Sequence, residues 1–349
     1  MTRQDPSKVE VIAPNLKHRL SGVTATVYAL VPIQAKEIEI AALGLALPPG
    51  IPQIRLRDLP ALPRGRPIVW HARRNIEMIA GLALRVFLGG RLKLLFTSAS
   101  QRHHTRLTRA LIARMDWVIA VSDKSAEYLS VPHQVVRHGI DTRRFHPARD
   151  RAALRRRLRL EENAVIVGCF GRIRAQKGTG DFVDAMLQLM QTRKDVHAIA
   201  MGGVVGHEDY VRELKTRITR AGLGERLRIM PEVPVDNMPD WYAALDLYVA
   251  PQRWEGFGLT VLEAMSSGVP VVATGVGAFE ELLDKGRMGT LVEPGDVPSL
   301  AAAIAPILDD PQNRLRLGAE ARSYVEARFA IEGEAQALVD VYRKLLAKP

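Results

Sequence analysis

The sequence has little of several features that mark particular classes of protein. It contains one cysteine, Cys169, in 349 residues, so no internal disulfide can form, and residues 1–15 lack the basic, then apolar, then small-residue order of a secretory signal. No apolar run reaches the roughly 18 residues that a membrane span needs. The nearest, residues 76–88, is interrupted by Glu77 and Arg85. These absences predict a cytoplasmic protein that does not cross a membrane.

Length, composition and charge indicate a folded chain of two domains with one basic half. The length is about twice that of a common single domain, and 47% hydrophobic with 25% charged residues is ordinary globular usage. Residues 1–160 hold 28 Lys and Arg against 11 Asp and Glu, whereas residues 161–349 hold 21 against 27. One-sided positive charge with only 5% aromatic residues favours phosphates on a membrane or an anionic acceptor over nucleic acid as the partner.

Short apolar runs alternate with helical segments in both halves of the chain. The predicted strands are 8–13, 37–47, 67–71, 92–97, 117–121 and 134–137 in the first half, and 164–170, 196–201, 227–230, 247–250, 270–273 and 290–292 in the second. Strands that alternate with helices, without hairpin turns, predict two parallel sheets and so an α/β chain of two Rossmann-like domains. We expect these domains at 1–155 and 156–330, facing each other across a cleft, with a last helix at 331–349 that crosses back to the first.

The Arg-rich segment 143–159 joins the two predicted domains. One interpretation is a solvated helix whose arginines face water. The other is a basic patch that faces a membrane.

The strongest functional signal follows the predicted strand 247–250. Residues 255–265 read Glu-Gly-Phe-Gly-Leu-Thr-Val-Leu-Glu-Ala-Met. Its two glycines let the backbone approach a ligand closely, and a helix that opens near Leu259 presents N–H groups and a positive dipole end to an anion. Glu255 precedes this helix and Glu263 lies within it, so the segment can hold both ends of a nucleotide-sugar. The alternative, acidic residues favoured by the helix dipole, does not explain Glu263 among apolar neighbours.

A second signal is the loop 171–178, Gly-Arg-Ile-Arg-Ala-Gln-Lys-Gly, which leaves the predicted strand 164–170. Arg172 and Lys177 can converge on one diphosphate, whose negative charge grows as it departs and must be neutralised. No Asp-x-Asp pair occurs in the chain. We therefore expect these two cations to replace Mg²⁺, with no metal and no cofactor.

The Gly-Arg…Lys-Gly loop, the Glu-x7-Glu segment and the run Gly-Val-Pro-Val-Val-Ala at 268–273 resemble the retaining family 4 glycosyltransferases of GT-B fold. The resemblance covers nearly the whole chain. It implies that Arg172 and Lys177 bind the donor diphosphate, that Glu255 binds the transferred sugar and that Glu263 binds the ribose. It also implies donor contacts from Gly22 in the first domain, from the backbone of Gly256, Phe257, Gly258 and Leu259, and from Val233 beside the base.

Two departures from the family pattern affect the first domain. Relatives often carry Gly-Gly after the first strand where this chain has Ser21-Gly22, so the close backbone approach rests on Gly22 alone. Relatives also often carry a histidine after the strand that corresponds to 92–96, where this chain has Thr97-Ser98, so the motif does not identify the catalytic histidine. The candidates are His71, His103 and His104.

Within the family, Trp-His-Ala-Arg-Arg-Asn at 70–75 and the segment 97–104 look like lipopolysaccharide core mannosyltransferases that act on the inner-core Kdo. The resemblance implies a peripheral enzyme at the inner membrane face that transfers mannose from GDP-mannose to an anionic glycolipid. Acceptor contacts are expected from Arg73, Arg74 and Arg102. Retention is expected to proceed by front-face attack, with the departing phosphate taking the proton of the acceptor hydroxyl.

Other functions remain as alternatives. A UDP-sugar-dependent hexosyltransferase stays open, because the sequence does not show which base the loop at 230–233 accepts. A non-catalytic nucleotide-sugar-binding protein is a more remote alternative. The run Gly275-Val276-Gly277 imitates a dinucleotide fingerprint, but Glu280 stands at the third glycine position and would repel a pyrophosphate.

Overall fold

Two parallel β-sheets organise the chain, because its apolar runs are short and alternate with helices. The computed structural model describes residues 3–16, 22–44, 47, 49–88 and 91–347. Contacts divide the chain into a first unit, which comprises the chain up to Gly139 together with the segment from Ile331, and a second unit, Ile140–Ala330.

The described part of the first unit contains seven parallel strands. They are β1 (Val11–Asn15), β2 (Ile40–Gly44), β3 (Gln53–Ile54), β4 (Ile68–Ala72), β5 (Leu92–Ser98), β6 (Trp117–Ala120) and β7 (Gln134–Val135), in the sheet order β3-β2-β1-β4-β5-β6-β7. Its helices are α1 (Gly22–Gln34), α2 (Asn75–Leu88), α3 (Arg106–Ile112), α4 (Asp123–Ala126) and, from the end of the chain, α13 (Ile331–Leu346). Each first-half strand prediction has a counterpart here, and β3 was not predicted because two residues show no period.

Helices cover both faces of this first sheet. Leu30 of α1 and Tyr342 of α13 belong to the core on one face, and Met78 of α2 and Leu111 of α3 belong to the core on the other. All five residues of β1 and of β4 are buried, which is typical of parallel strands covered on two sides. The last helix of the chain therefore completes the first unit.

The described part of the second unit contains six parallel strands. They are β8 (Val165–Phe170), β9 (Val196–Met201), β10 (Leu227–Met230), β11 (Leu247–Ala250), β12 (Val271–Thr274) and β13 (Thr290–Val292), in the sheet order β10-β9-β8-β11-β12-β13. The helices are α5 (Arg151–Arg157), α6 (Thr179–Leu189), α7 (Glu208–Arg220), α8 (Met238–Ala243), α9 (Leu259–Ser266), α10 (Phe279–Leu282), α11 (Val297–Asp309) and α12 (Pro311–Arg328). The order reverses between β8 and β11, and ligands of such sheets bind beyond the carboxyl ends of the strands at this point.

The basic segment 143–159 lies in the second unit, so the division falls at Gly139 and not at residue 155. Arg155 is only 5% exposed and donates to the Ala244 carbonyl, at 2.9 and 3.1 Å, and to Asp246 Oδ2 at 2.6 Å. Arg151 donates to Asp246 Oδ1 at 3.0 Å. Both interpretations of this segment are wrong for Arg155, because it caps strand ends of the second sheet instead of facing water or a membrane.

Candidate functional site

The loops that follow β8 and β11 meet at the point where the strand order of the second sheet reverses. Gly178 ends the first loop with φ 69°, and a Cβ added there would lie 1.8 Å from the Pro251 carbonyl oxygen of the second loop. A side chain at this position is therefore excluded by both backbone conformation and space. The glycine lets the turn that carries Lys177 pack directly on the chain leaving β11.

This packing places Lys177 and Glu255 in contact. Lys177 Nζ donates to Glu255 Oε2 at 2.5 Å, while Glu255 Oε1 accepts from the Gly256 N–H at 2.9 Å. Both side chains are largely shielded from solvent. Lys177 was expected to bind the donor diphosphate and Glu255 the transferred sugar. In the structure the two side chains form one ion pair, in which Glu255 orients the Lys177 ammonium.

Arg174 is a cation of this site that sequence reasoning missed. Burial lowers its pKa, the charge of Arg172 lowers it further and the charge of Glu255 raises it, so all three groups lie within electrostatic range. Its Nε is buried without a hydrogen-bond partner. The signal was its position two residues after Arg172 in an extended stretch, where alternate side chains share a face.

Glycines also shape the start of α9. Gly258 has φ 97°, and a Cβ there would lie 2.0 Å from the Phe279 ring. Gly277, with φ 64°, packs on the carbonyls of Glu255 and Gly256, which a Cβ would approach to 2.9 and 3.0 Å. Gly277, the second glycine of the run that imitates a dinucleotide fingerprint, therefore packs against this loop. The predicted backbone contacts, Gly256, Phe257, Gly258 and Leu259, lie together at the amino end of α9.

Arg253 ties this loop to the helix after the Lys177 turn. Its Nε and Nη2 donate to the two carboxylate oxygens of the buried Asp181 on α6, at 2.9 and 2.7 Å. Its own N–H donates to the Gln176 carbonyl at 3.0 Å. A bidentate pair of this kind has a fixed geometry. It holds the loop of Glu255 in register with the loop of Lys177, and sequence reasoning did not single it out.

Glu263 lies in the second turn of α9 and is mostly shielded from solvent. Burial raises its pKa, while the Tyr242 hydroxyl and the charge of Arg144 act in the opposite direction. Tyr242 is fully buried on α8. Glu263 thus lies close to the helix that follows β10, and Val233 lies in the loop between β10 and that helix.

The three arginines expected to contact the acceptor lie in the first unit and differ in their hydrogen bonds and exposure. Arg74 donates to Asn15 Oδ1 at 2.9 Å, to Thr24 Oγ1 at 2.9 Å and to Glu77 Oε1 at 2.8 Å. Arg73 donates to the His71 carbonyl at 3.2 Å, and Arg102 is exposed in the loop after β5. Gly22 begins α1, and Ser21 lies outside the described residues.

The three candidate histidines lie in different surroundings. His71 is 1% exposed, with Nδ1 2.7 Å from the Tyr342 hydroxyl and Nε2 2.7 Å from Thr97 Oγ1. Burial, aided by the Arg73 charge, lowers the pKa of His71 well below its ordinary value. Both ring nitrogens of His71 are therefore engaged, and through Tyr342 this histidine joins α13 to β4.

The other two histidines follow the carboxyl end of β5. His103 is exposed and meets the edge of the Tyr128 ring, with the ring centroids 5.4 Å apart. His104 is partly buried, with Nε2 3.4 Å from Ser98 Oγ, and burial together with the Arg102 charge lowers its pKa. Of the three candidates, His104 combines a position at a strand end with a ring that the protein does not enclose.

None of the helices in the described residues is long and apolar enough to cross a membrane. Within the same part of the chain, no group of three or more His, Cys, Asp or Glu side chains is placed to hold a metal ion.

Comparisons with known proteins place this geometry among glycosyl transferases. Residues 150–324 match the family model described as glycosyl transferases group 1. The chain is 49% identical to the lipopolysaccharide core biosynthesis mannosyltransferase LpsB of Rhizobium meliloti, over 98% of this chain and 99% of the relative. It is 46% identical to LpcC of Rhizobium leguminosarum bv. viciae, which has the same description, over 98% of each chain. The crystal structure of Anabaena HepE with UDP and glucose shares the fold, with a TM-score of 0.81, 22% identity and coverage of 96% of this chain and 100% of that one.

Proposed function

We propose that this chain, which belongs to the group 1 glycosyl transferases of GT-B fold, transfers mannose from GDP-mannose to an inner-core Kdo residue. Its close homologues make it a mannosyltransferase of lipopolysaccharide core biosynthesis. The observation that carries the proposal is identity of 46 to 49% over the whole chain to two mannosyltransferases of that pathway. The expected setting is the cytoplasmic face of the membrane.

The second unit binds the donor in this proposal. Arg172 and Arg174 lie close enough for their charges to interact, Lys177 pairs with Glu255, and the amino end of α9 adds N–H groups and the helix dipole. They stabilise the negative charge of the departing diphosphate, a task in which one preorganised group is worth about 3 kcal/mol. Glu255 holds Lys177 in position and borders the transferred sugar, and Glu263 meets the ribose.

The anomeric configuration of the sugar is retained if the acceptor hydroxyl attacks from the same face of the sugar that the diphosphate leaves. The acceptor hydroxyl oxygen bonds to the anomeric carbon as the bond from that carbon to the phosphate oxygen breaks. The departing phosphate oxygen takes the hydroxyl proton. In this scheme protein cations supply the charge stabilisation, so the proposed reaction requires no metal ion.

The first unit binds the acceptor in this proposal. An anionic glycolipid suits the excess of 28 basic over 11 acidic residues in positions 1–160. Arg102 is the exposed candidate for contact with the acceptor, and His104 follows it at the end of β5. Arg74, held by three partners, has a supporting role in the unit and is a weaker candidate for direct contact.

Helix α2 is the proposed membrane contact. Glu77, Met78 and Gly81 face the sheet, whereas Val86 and Phe87 are 82% and 83% exposed. The helix is therefore amphipathic rather than buried. An exposed apolar face on a strongly basic unit suits an anionic lipid surface, which combines apolar burial with attraction of charge.

Cosedimentation with vesicles tests this contact. A Val86→Ser/Phe87→Ser variant should bind vesicles of anionic lipid at least roughly tenfold more weakly, because each side chain contributes about 1.5 kcal/mol or more when buried. Leu315→Ser on α12 removes a side chain that is 62% exposed in the second unit and serves as the control. Binding should also weaken in high salt. Equal binding of all three proteins to neutral and anionic vesicles would contradict the contact.

The donor and acceptor are tested by a transfer assay. Purified protein is incubated with GDP-mannose, UDP-glucose or UDP-galactose and with a Kdo-bearing lipid A acceptor. We expect transfer from GDP-mannose alone, with the α-configuration of the donor retained in the product by NMR. Transfer from a UDP-sugar would support the alternative hexosyltransferase, and binding of GDP-mannose without turnover on any Kdo acceptor would refute the proposed reaction.

A further inference from the structure

Glu232 lies at the carboxyl end of β10, in the loop that carries Val233. Its side chain reaches over Gly203 in the neighbouring loop after β9, because a Cβ added to Gly203 would lie 2.8 Å from Glu232 Oε2 and 3.4 Å from its Cδ. The carboxylate is exposed and has no hydrogen-bond or ion-pair partner in the described part of the chain. It is an unused anionic group at the end of the sheet where the donor site lies.

Backbone contacts connect this carboxylate to the diphosphate loop. The Gly203 carbonyl accepts from the Ile173 N–H at 3.0 Å, and the Gly171 N–H donates to the Met201 carbonyl at 2.9 Å. Ile173 stands between Arg172 and Arg174 in the chain. The loops after β8 and β9 are therefore joined, and Glu232 lies on the far side of the second one.

The loop after β10, which carries Glu232, is also connected to Glu263. Arg144 donates to the Val235 carbonyl at 2.6 Å, and its charge also acts on the Glu263 carboxyl. From β8 to β10 the sheet spans two strand spacings, about 10 Å, which is the scale of a nucleoside lying along the edge. The exposed side chains of Val205 and Val235, in the loops after β9 and β10, offer apolar contact for a flat ring.

We propose that Glu232 selects the base of the nucleotide, an inference that rests on the GDP-sugar donor proposed above. An ionised carboxylate only accepts hydrogen bonds. Guanine presents two adjacent donors, N1–H and N2–H, to which the two carboxylate oxygens are matched. Uracil presents a single N–H between two carbonyl oxygens, so the same carboxylate meets acceptor lone pairs. Glu232 thus favours guanine by attraction and disfavours uracil by repulsion.

The test measures the dissociation constants of GDP and UDP by calorimetry for the wild type and for Glu232→Gln. A bidentate contact to a base is worth about 1–3 kcal/mol, so the variant should lose roughly tenfold or more in GDP affinity and keep or gain affinity for UDP. Glu225→Gln is the matched control, because Glu225 is an exposed carboxylate just before the opposite end of β10. It should bind both nucleotides as the wild type does.

A second variant moves the carboxylate without removing it. Gly203→Ala introduces a Cβ whose closest neighbour is the mobile end of Glu232, so it should weaken GDP binding to an intermediate degree. A wild type that prefers GDP and a Glu232→Gln variant with the same preference would overturn the role of Glu232 alone. A wild type that prefers UDP would overturn both this role and the proposed donor.

Discussion

Gly178→Ala tests whether the contact between the two loops of the donor site supports activity. The substitution has two costs that separate variants can distinguish. The first is backbone conformation, because φ is 69° at Gly178 and an alanine there costs about 1–2 kcal/mol. The second is space, because the new Cβ lies 1.8 Å from the Pro251 oxygen and such contacts are not found under 3.0 Å. The Lys177 turn must therefore move by about 1.2 Å, the difference between these two distances.

Gly222→Ala isolates the first cost. Gly222 has nearly the same φ, 70°, and nothing within 4 Å of an added Cβ. Both variants should lose about 1–2 kcal/mol of unfolding free energy in urea from the conformation alone, with a larger loss for Gly178→Ala. Only Gly178→Ala should lose activity, by roughly 100-fold in kcat/KM, because a shift of about 1 Å misplaces Lys177. If the two variants matched in both stability and kcat/KM, the loop contact would have no catalytic importance.

Three further predictions concern single side chains. Glu255→Gln should retain the fold and the affinity for GDP but lower kcat, because the amide no longer holds the Lys177 ammonium by charge; turnover equal to that of the wild type would contradict its place in the site. Arg172→Ala should lower kcat by roughly 10²–10³-fold, and EDTA should leave the wild-type rate unchanged; a rate lost in EDTA and restored by Mg²⁺ would overturn the metal-free scheme. Burial lowers the pKa of His71, so below about pH 6.5 the unfolded chain binds a proton that the folded chain does not. The free energy of unfolding therefore falls as the pH falls, by up to about 1.4 kcal/mol per pH unit. Urea unfolding of wild type and His71→Asn across pH 4.5–7.5 checks this, and an identical pH slope for both would show that His71 does not contribute.

Local patterns explain why so much of the fold could be read in advance. A parallel strand buried on both faces is a short apolar run, and six such runs in each half reproduced the order of strands. The residues at which the strands begin and end were less predictable. The run 37–47 shortens to Ile40–Gly44 because where a strand ends depends on pairing with its neighbours, which periodicity does not record.

The site shows the same division between local and tertiary information. Glu255, the glycines after it and the Arg172–Lys177 loop were identifiable because each group is contiguous in the chain. The chain order did not show that Lys177 Nζ would donate to Glu255, 78 residues away. Nor did it show that Arg155, in a run of arginines that looked solvent-exposed, would cap Ala244 and Asp246.

The sequence by itself determined the alternation of strands and helices, the basic first half and the residues of the donor motifs, because these depend on neighbours in the chain and on composition. The tertiary structure alone decided which of those residues meet. It enclosed His71 between Tyr342 and Thr97, and it placed Glu232 over Gly203. The physical reason is that contacts between loops at the end of a parallel sheet follow the spatial order of the strands, and that order differs from their order along the chain.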